Sequence, residues 1–256
     1  MRAMLGSRRF AGAVGVTGVL LFWVLAGELW GVRKGIPQPW SVLSHLKDDW
    51  HLYPNHLKAT LARASRGYLI GNAVAIGLGL AFVLVPFVEK ALMQLAVATY
   101  CLPIIAIGPI LQVVLSGDAP KVALSALSVI FTTLIGVLVG LRSADRTSLE
   151  VVRVYGGGSV MQLRKVRLRA ALPSTFTALQ IAAPAAVLGS IIGEFMGGER
   201  GLGIFMINSQ QAFDVPRTWG VALVSTAVAG IGFGLTSLIA RAATPWAPRS
   251  AKAGRE

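Results

Sequence analysis

Few residues in this chain carry chemistry, and their placement narrows what that chemistry is. Glu194 sits in the apolar stretch 176–196, which holds no other Asp, Glu, Lys or Arg. An ionisable side chain at membrane depth is a functional candidate by default. Arg200, close by in sequence, is the nearest counter-charge. Gln112, Gln180 and Ser190 are the other polar residues at that depth that stand, with Glu194, as candidates for lining a pathway. His45, His51 and His56 are the only histidines. Their spacing does not align them on one helix face, so interfacial histidines are preferred over metal ligands and no metal site is expected. Cys101 is the single cysteine, which excludes a disulfide within the chain. A reactive thiol needs an electropositive, accessible site; Cys101 lies between Tyr100 and Leu102 and is read as packing. No G-x-x-x-x-G-K-[ST] loop is present, so the chain does not bind a nucleoside triphosphate in that way. No series of Asp, Glu and His crosses several apolar stretches, as proton coupling would require. No Arg-rich span or TVGYG-type filter is found either.

The densest polar chemistry lies at 142–174. Around Glu150 runs a helical pattern with apolar positions at 149, 151, 152, 154 and 155. It meets three glycines, 156–158, and glycine at a helix end adopts the left-handed conformation cheaply. A second helix begins near Ser159, a plausible N-cap. Its apolar positions are 160, 161, 163, 166 and 168, with basic residues at 164, 165, 167 and 169. Pro173 is expected to close it. Such a pair either packs on its own spans as a surface hairpin or serves as a docking element for a partner.

The elements that position these residues are membrane spans. Of the 256 residues, 54% are hydrophobic and 14% charged, and the mean hydropathy is +0.66. A soluble domain carries about 25% charged residues, so a soluble globular fold is excluded. A spanning helix needs about 20 apolar residues. Six stretches qualify: 10–32, 67–88, 91–115, 122–141, 176–196 and 219–240. They give an all-α membrane protein, read as one transmembrane domain over 1–256. The first stretch is too long for a signal-peptide core and ends in bulky Leu29-Trp30, so it is read as retained. The external segment 33–66 has apolar residues at 42, 43, 46 and 50, the stripe of an amphipathic helix at the outer surface.

Charge sets the orientation. The formal net charge is +13. With the N-terminus in the cytoplasm, inside segments hold 15 of the 24 Lys and Arg and outside segments 9. This follows the positive-inside rule and puts both termini in the cytoplasm. It also turns the basic excess into an orientation signal, with no nucleic-acid partner implied. Arg63 and Arg66 fall on the outside, where their long stems are expected to snorkel to the interface. Within the spans, Gly189, Gly193 and Gly197 recur at four-residue steps, as do Gly67 and Gly71. Such stripes let helices approach closely, within the chain or between copies. Pro103 and Pro109 in the third span and Pro184 in the fifth are expected kinks.

The 142–174 segment resembles the cytoplasmic signature of permease subunits of binding-protein-dependent ABC importers. That signature reads Glu-Ala-Ala, three residues, Gly, nine residues, Ile, one residue, Leu-Pro. Here Glu150-Val151-Val152 is followed at the same spacings by Gly156, Val166 and Leu168. Val151 and Val152 replace the alanines, and Arg169 stands where the proline would be. Pro173 closes a following Ala-Ala-Leu-Pro, as in the nitrate/sulfonate/taurine-type branch. Pro37-Gln-Pro39, the run from His56 to Arg63 leading into Gly67, Leu102-Pro103 with Pro109, and Gly193-Glu194 with Arg200-Gly-Leu-Gly203 are similar to that branch too.

The resemblance implies a type I importer permease fold of about six transmembrane helices, with a coupling-helix loop between spans four and five. It implies that Glu150, Val151, Val152, Gly156, Val166, Leu168, Arg169 and Pro173 couple to a cytoplasmic ATPase. Two ABC ATPase subunits would carry ATP and Mg, and this chain would hold no cofactor. A second permease copy or paralogue would complete the pathway, and an extracytoplasmic substrate-binding protein would deliver the substrate. The bacterial inner membrane is the implied location. The substrate class would be a small organic or inorganic anion or a small heterocycle. A secondary transporter or channel without ATPase, or a membrane anchor, are the competing readings. The signature spacing and the thin set of buried charges argue against them.

Overall fold

A computed structural model describes residues 8–246. Within them the chain is helical and contains no strand. The helices are α1 (Arg8–Trp30), α2 (Pro39–Asp48), α3 (Tyr53–Leu84), α4 (Pro86–Cys101), α5 (Ile104–Val114), α6 (Ala119–Arg142), α7 (Arg146–Val154), α8 (Ser159–Gln162), α9 (Leu168–Phe195), α10 (Leu202–Gln211) and α11 (Val215–Ala243). Five helical runs among the described residues are long and apolar enough to cross a membrane. The terminal basic residues Arg2, Arg249, Lys252 and Arg255, which entered the orientation argument, lie outside the described residues.

The third expected span, 91–115, is not one helix. It is made of α4 and α5, broken at Leu102, whose ψ of 130° is extended. The ring of Pro103 disfavours the α conformation in the residue before it. The same rule ends the second span early: Val85, before Pro86, has φ −129° and ψ 88°, so α3 stops at Leu84. Together α4 and α5 lead from one end of α6 to the other. Glu89 near the start of α4 pairs with Arg142 at the end of α6. Beyond the far end of α5, Ser116 precedes Asp118, which contacts the start of α6.

Pro173 does not close the loop helix. A π-helical turn, Leu163–Arg167, joins α8 to α9, and the helical run is unbroken from Ser159 to Phe195 over 37 residues. Proline inside a helix costs about 3 kcal/mol. Packing outweighs it: Ala171 is buried against α6, where a side chain on Gly140 would strike its backbone. Pro184 and Pro109 are likewise carried inside helices.

The core is α6 clasped between α3 and α9. Small residues make the contact, since without water to expel, close van der Waals packing holds helices in a membrane. A side chain at Gly67 or Gly71 would collide with Ser125, Ala126 or Val129 of α6, and one at Gly189 or Gly193 with Leu124, Ser125 or Lys121. The four-residue stripes are therefore used within the chain. Gly197 leaves its stripe: it lies beyond α9 with φ 134°. The amphipathic helix expected in the external segment is α2, with Val42 buried. α1 lies at the periphery, where Trp23 donates to the Pro37 carbonyl at 3.0 Å and stacks on Trp219 of α11.

Candidate functional site

α6 runs parallel to α3 and antiparallel to α9, which gives the bundle two ends. One carries Glu194, the other α7 and α8.

At the first end, Glu194 is fully buried. Its partner is Arg63 on α3, whose Nη1 donates to Oε1 at 3.0 Å. Thr60 Oγ1 donates to the carboxylate at 2.9 Å and the Gly203 amide at 2.8 Å. The Leu202 amide in turn donates to Thr60 Oγ1 at 2.8 Å. Arg63 also donates to the Arg200 carbonyl at 2.6 Å and, through Nε, to Asp118 at 2.9 Å. The pair thus ties α3, α9, the start of α6 and the turn 197–203 together. Gly201, at φ 143°, has no room for a side chain beside the carboxylate. His56 stacks on Phe205, and its Nδ1 accepts from the Gly201 amide at 3.1 Å.

Arg63 does not snorkel; it is 7% exposed and internally satisfied. Arg200 supplies a backbone oxygen to the network rather than the counter-charge. Sequence reasoning missed Arg63, although a signal existed: it stands one turn before Gly67 and Gly71 on the buried stripe of α3. Asp118 is half exposed. Burial pushes its carboxyl up, but hydrogen bonding and charge from Arg63, then Lys121, outweigh that and hold it below the usual carboxylate range.

The four polar candidates do not converge. Ser190 is buried one turn from Glu194, its hydroxyl 3.5 Å from Oε1. Gln112 is exposed and lines a cavity of about 500 Å³ with Lys121, Gly197 and Gly198. Gln180 is half-buried in the middle of α9. Among the described residues no cluster suited to a metal ion occurs.

At the other end, Asp145 caps α7, accepting from the Ser148 amide at 2.9 Å. That backbone bond and the Ser148 hydroxyl hold its carboxyl below the usual range. Gly156, at φ 78°, reverses the chain, and the Gly157 amide donates to the Val152 carbonyl at 2.8 Å. Gln162 reaches back to the Leu149 carbonyl at 3.3 Å, tying α8 to α7. Glu150 and Val151 are exposed and Val152 is half-buried, while Val154 and Tyr155 at the tip are 84% and 85% exposed. Val166 and Pro173 are half-buried, and Leu168 and Arg169 exposed, on the continuous run into α9. Where the signature has proline, Arg169 keeps its backbone donor, and the helix passes through.

Residues 73–247 match the family described as "Binding-protein-dependent transport system inner membrane component". The chain belongs to this family. It is 29% identical over 234 residues to the formylaminopyrimidine transport permease protein ThiX of Halalkalibacterium halodurans, across 89% of this chain and 92% of that one. It is 29% identical over 238 residues to the riboflavin transport system permease protein RibX of Chloroflexus aurantiacus, across 89% and 87%. It is 25% identical over 236 residues to the putative aliphatic sulfonates transport permease protein SsuC of Bacillus subtilis, across 89% and 84%. The chain is therefore a permease subunit of a binding-protein-dependent ABC transporter, a multi-span translocation component of the inner membrane and not an enzyme. The family match includes Glu194 and the whole α7–α8 loop, and starts after Thr60 and Arg63.

Proposed function

We propose that this permease is driven by two ABC ATPase subunits that carry ATP and Mg and dock on α7 and the 155–161 turn. The observation that carries the reading is the tip of that loop. Val154 and Tyr155 are almost fully exposed, while their segment is hydrogen-bonded to a helix that runs unbroken to Glu194. Large apolar side chains held out to solvent mark an interaction surface. The run of 37 residues from Ser159 spans about 55 Å at 1.5 Å per residue. A push on α8 is delivered to the opposite end without a hinge of loop. A difference in ATPase binding between two states is what would drive the change.

In this reading the loop end and both termini face the cytoplasm. Glu150, Val151, Val152, Gly156, Val166, Leu168, Arg169 and Pro173 form or support the docking element. A second copy or a paralogue completes the pathway, and an extracytoplasmic binding protein delivers substrate at the Glu194 end. The similarity to permeases named for a formylaminopyrimidine, riboflavin and aliphatic sulfonates supports a small heterocycle or a small anion as substrate.

The test is copurification of the ATPase with wild type, Glu150→Arg and Tyr155→Asp, together with uptake. Docking on this loop predicts that both variants reach the membrane in normal amount, lose the ATPase and lose uptake. Full ATPase retention with normal uptake in both would sink the reading.

A further inference from the structure

Resting on the transport reading above, we propose that the cavity beside the broken third span is a substrate subsite for an uncharged planar heterocycle and does not serve a small anion. The cavity measures about 670 Å³ and is bounded by α3, α4, α5, α6 and α9. Small-ligand pockets run from about 300 to 1,000 Å³ and combine apolar walls with a few polar groups. This one has that make-up. Tyr100, Leu102, Ile107, Phe131 and Leu188 supply apolar wall, and Ser128 a hydroxyl. The break at Leu102–Pro103 opens onto it, and interrupted helices at membrane depth line protein-buried or water-filled cavities.

Two features select the ligand class. Tyr100 and Phe131 are stacked, with ring centroids 4.3 Å apart, and Tyr100 remains 63% exposed. An aromatic face in an apolar wall favours a flat ring, which stacks at a centroid separation of about 4.5–7 Å. Among the described residues, no Asp, Glu, Lys, Arg or His lines the cavity. An ion entering would lose its hydration without a counter-charge, which is strongly unfavourable.

The neighbouring polar cavity does not rescue the anion. Its one charged lining residue is Lys121, 3.5 Å from Asp118. Arg63 and Lys121 are held by Glu194 and Asp118, so neither is free to take the anion.

The test uses the complete permease–ATPase complex in lipid nanodiscs. Saturation-transfer NMR reads contact with 4-aminopyrimidine, buffered so that the base is uncharged, and with ethanesulfonate. The expected result is transfer to the pyrimidine and none to the sulfonate. Leu188→Trp, which fills the cavity from an exposed position, weakens pyrimidine binding at least about tenfold, or 1.4 kcal/mol. Phe131→Ala weakens it without adding bulk. Leu61→Trp puts the same bulk into a separate apolar cavity and leaves binding unchanged. Transfer to ethanesulfonate, no transfer to the pyrimidine, or wild-type binding in both Leu188→Trp and Phe131→Ala would each overturn the proposal. A complex that retains its ATPase and transports, yet fails this binding test, defeats the subsite and leaves the proposed function standing.

Discussion

Arg63 and Glu194 are 131 positions apart in sequence and 3.0 Å apart in the fold, and both are buried. Such a pair is weak evidence of net stabilisation, because desolvating two charges offsets much of their attraction. Breaking it is another matter and is asymmetric: without Arg63, Glu194 is left buried with no counter-charge, whereas without Glu194, Arg63 keeps Asp118 at 2.8 Å. Arg63→Leu alone is expected to cost about 3–5 kcal/mol, and Glu194→Leu alone less, because Arg63 retains Asp118. The double variant is expected to cost clearly less than the sum of the two. Thermal unfolding of the detergent-solubilised permease, followed by size-exclusion fluorescence, reads this directly. Additive losses would mean that the two groups act independently.

The glycines divide by what faces them. Gly189 lies against the backbone of Leu124 and Ser125, so Gly189→Ala forces α6 and α9 apart. Gly77, in the middle of α3, has nothing within 4 Å of where a side chain would sit. Gly77→Ala therefore gains only the helix-propensity difference, about 0.5–1 kcal/mol in favour of the fold. The same unfolding measurement should move in opposite directions for the two variants. Loss of stability in Gly77→Ala would show that this face is packed against something else.

Much of this architecture was legible in the sequence because a membrane simplifies the code. Long apolar runs can only be helices, and small-residue stripes mark their contacts. The loop signature was legible because its spacing is set by two helices and a glycine reversal. Two kinds of feature were not. Local rules misplaced Pro173, because burial of Ala171 against α6 overrides the cost of an internal proline. Proximity along the chain misassigned the partner of Glu194. Arg200 is six positions away, but the turn 197–203 presents its carbonyl, and the counter-charge arrives from α3. Tertiary pairing between helices has no short-range signal. Here the hint was indirect: on α3 and α9 alike, an ionisable residue sits at the end of a glycine stripe, with opposite sign.

Acid should act on this end of the bundle through Asp118. Its carboxyl is held below the usual range in the fold, so its share of stability is present above the unfolded value, about 4. That share is lost as pH falls through the lower folded value. Asp118 is half exposed, so solvent screens its pairing with Arg63 and the effect is modest. The unfolding temperature should be insensitive to pH from about 8 down to 5 on this account and fall below about 4. Asp118→Asn should flatten part of that acid limb. An unchanged acid limb in Asp118→Asn would assign it to other carboxylates.

The cap on α7 gives a final, local prediction. Asp145 accepts from the Ser148 amide and hydroxyl, and both bonds favour its charged form. An N-cap carboxylate satisfies one of the orphan donors of the first turn and meets the positive end of the helix dipole. Asp145→Ala removes both effects while touching no residue of the span core. Hydrogen exchange should therefore accelerate at the Ser148 amide and through 146–154, leaving α6 and α9 protected. If α7 must be helical to dock, ATPase recovery should fall in step with that loss of protection. Asp145→Asn, which keeps an acceptor, should recover most of both. Equal loss in the Ala and Asn variants would shift the explanation from the hydrogen bond to the charge.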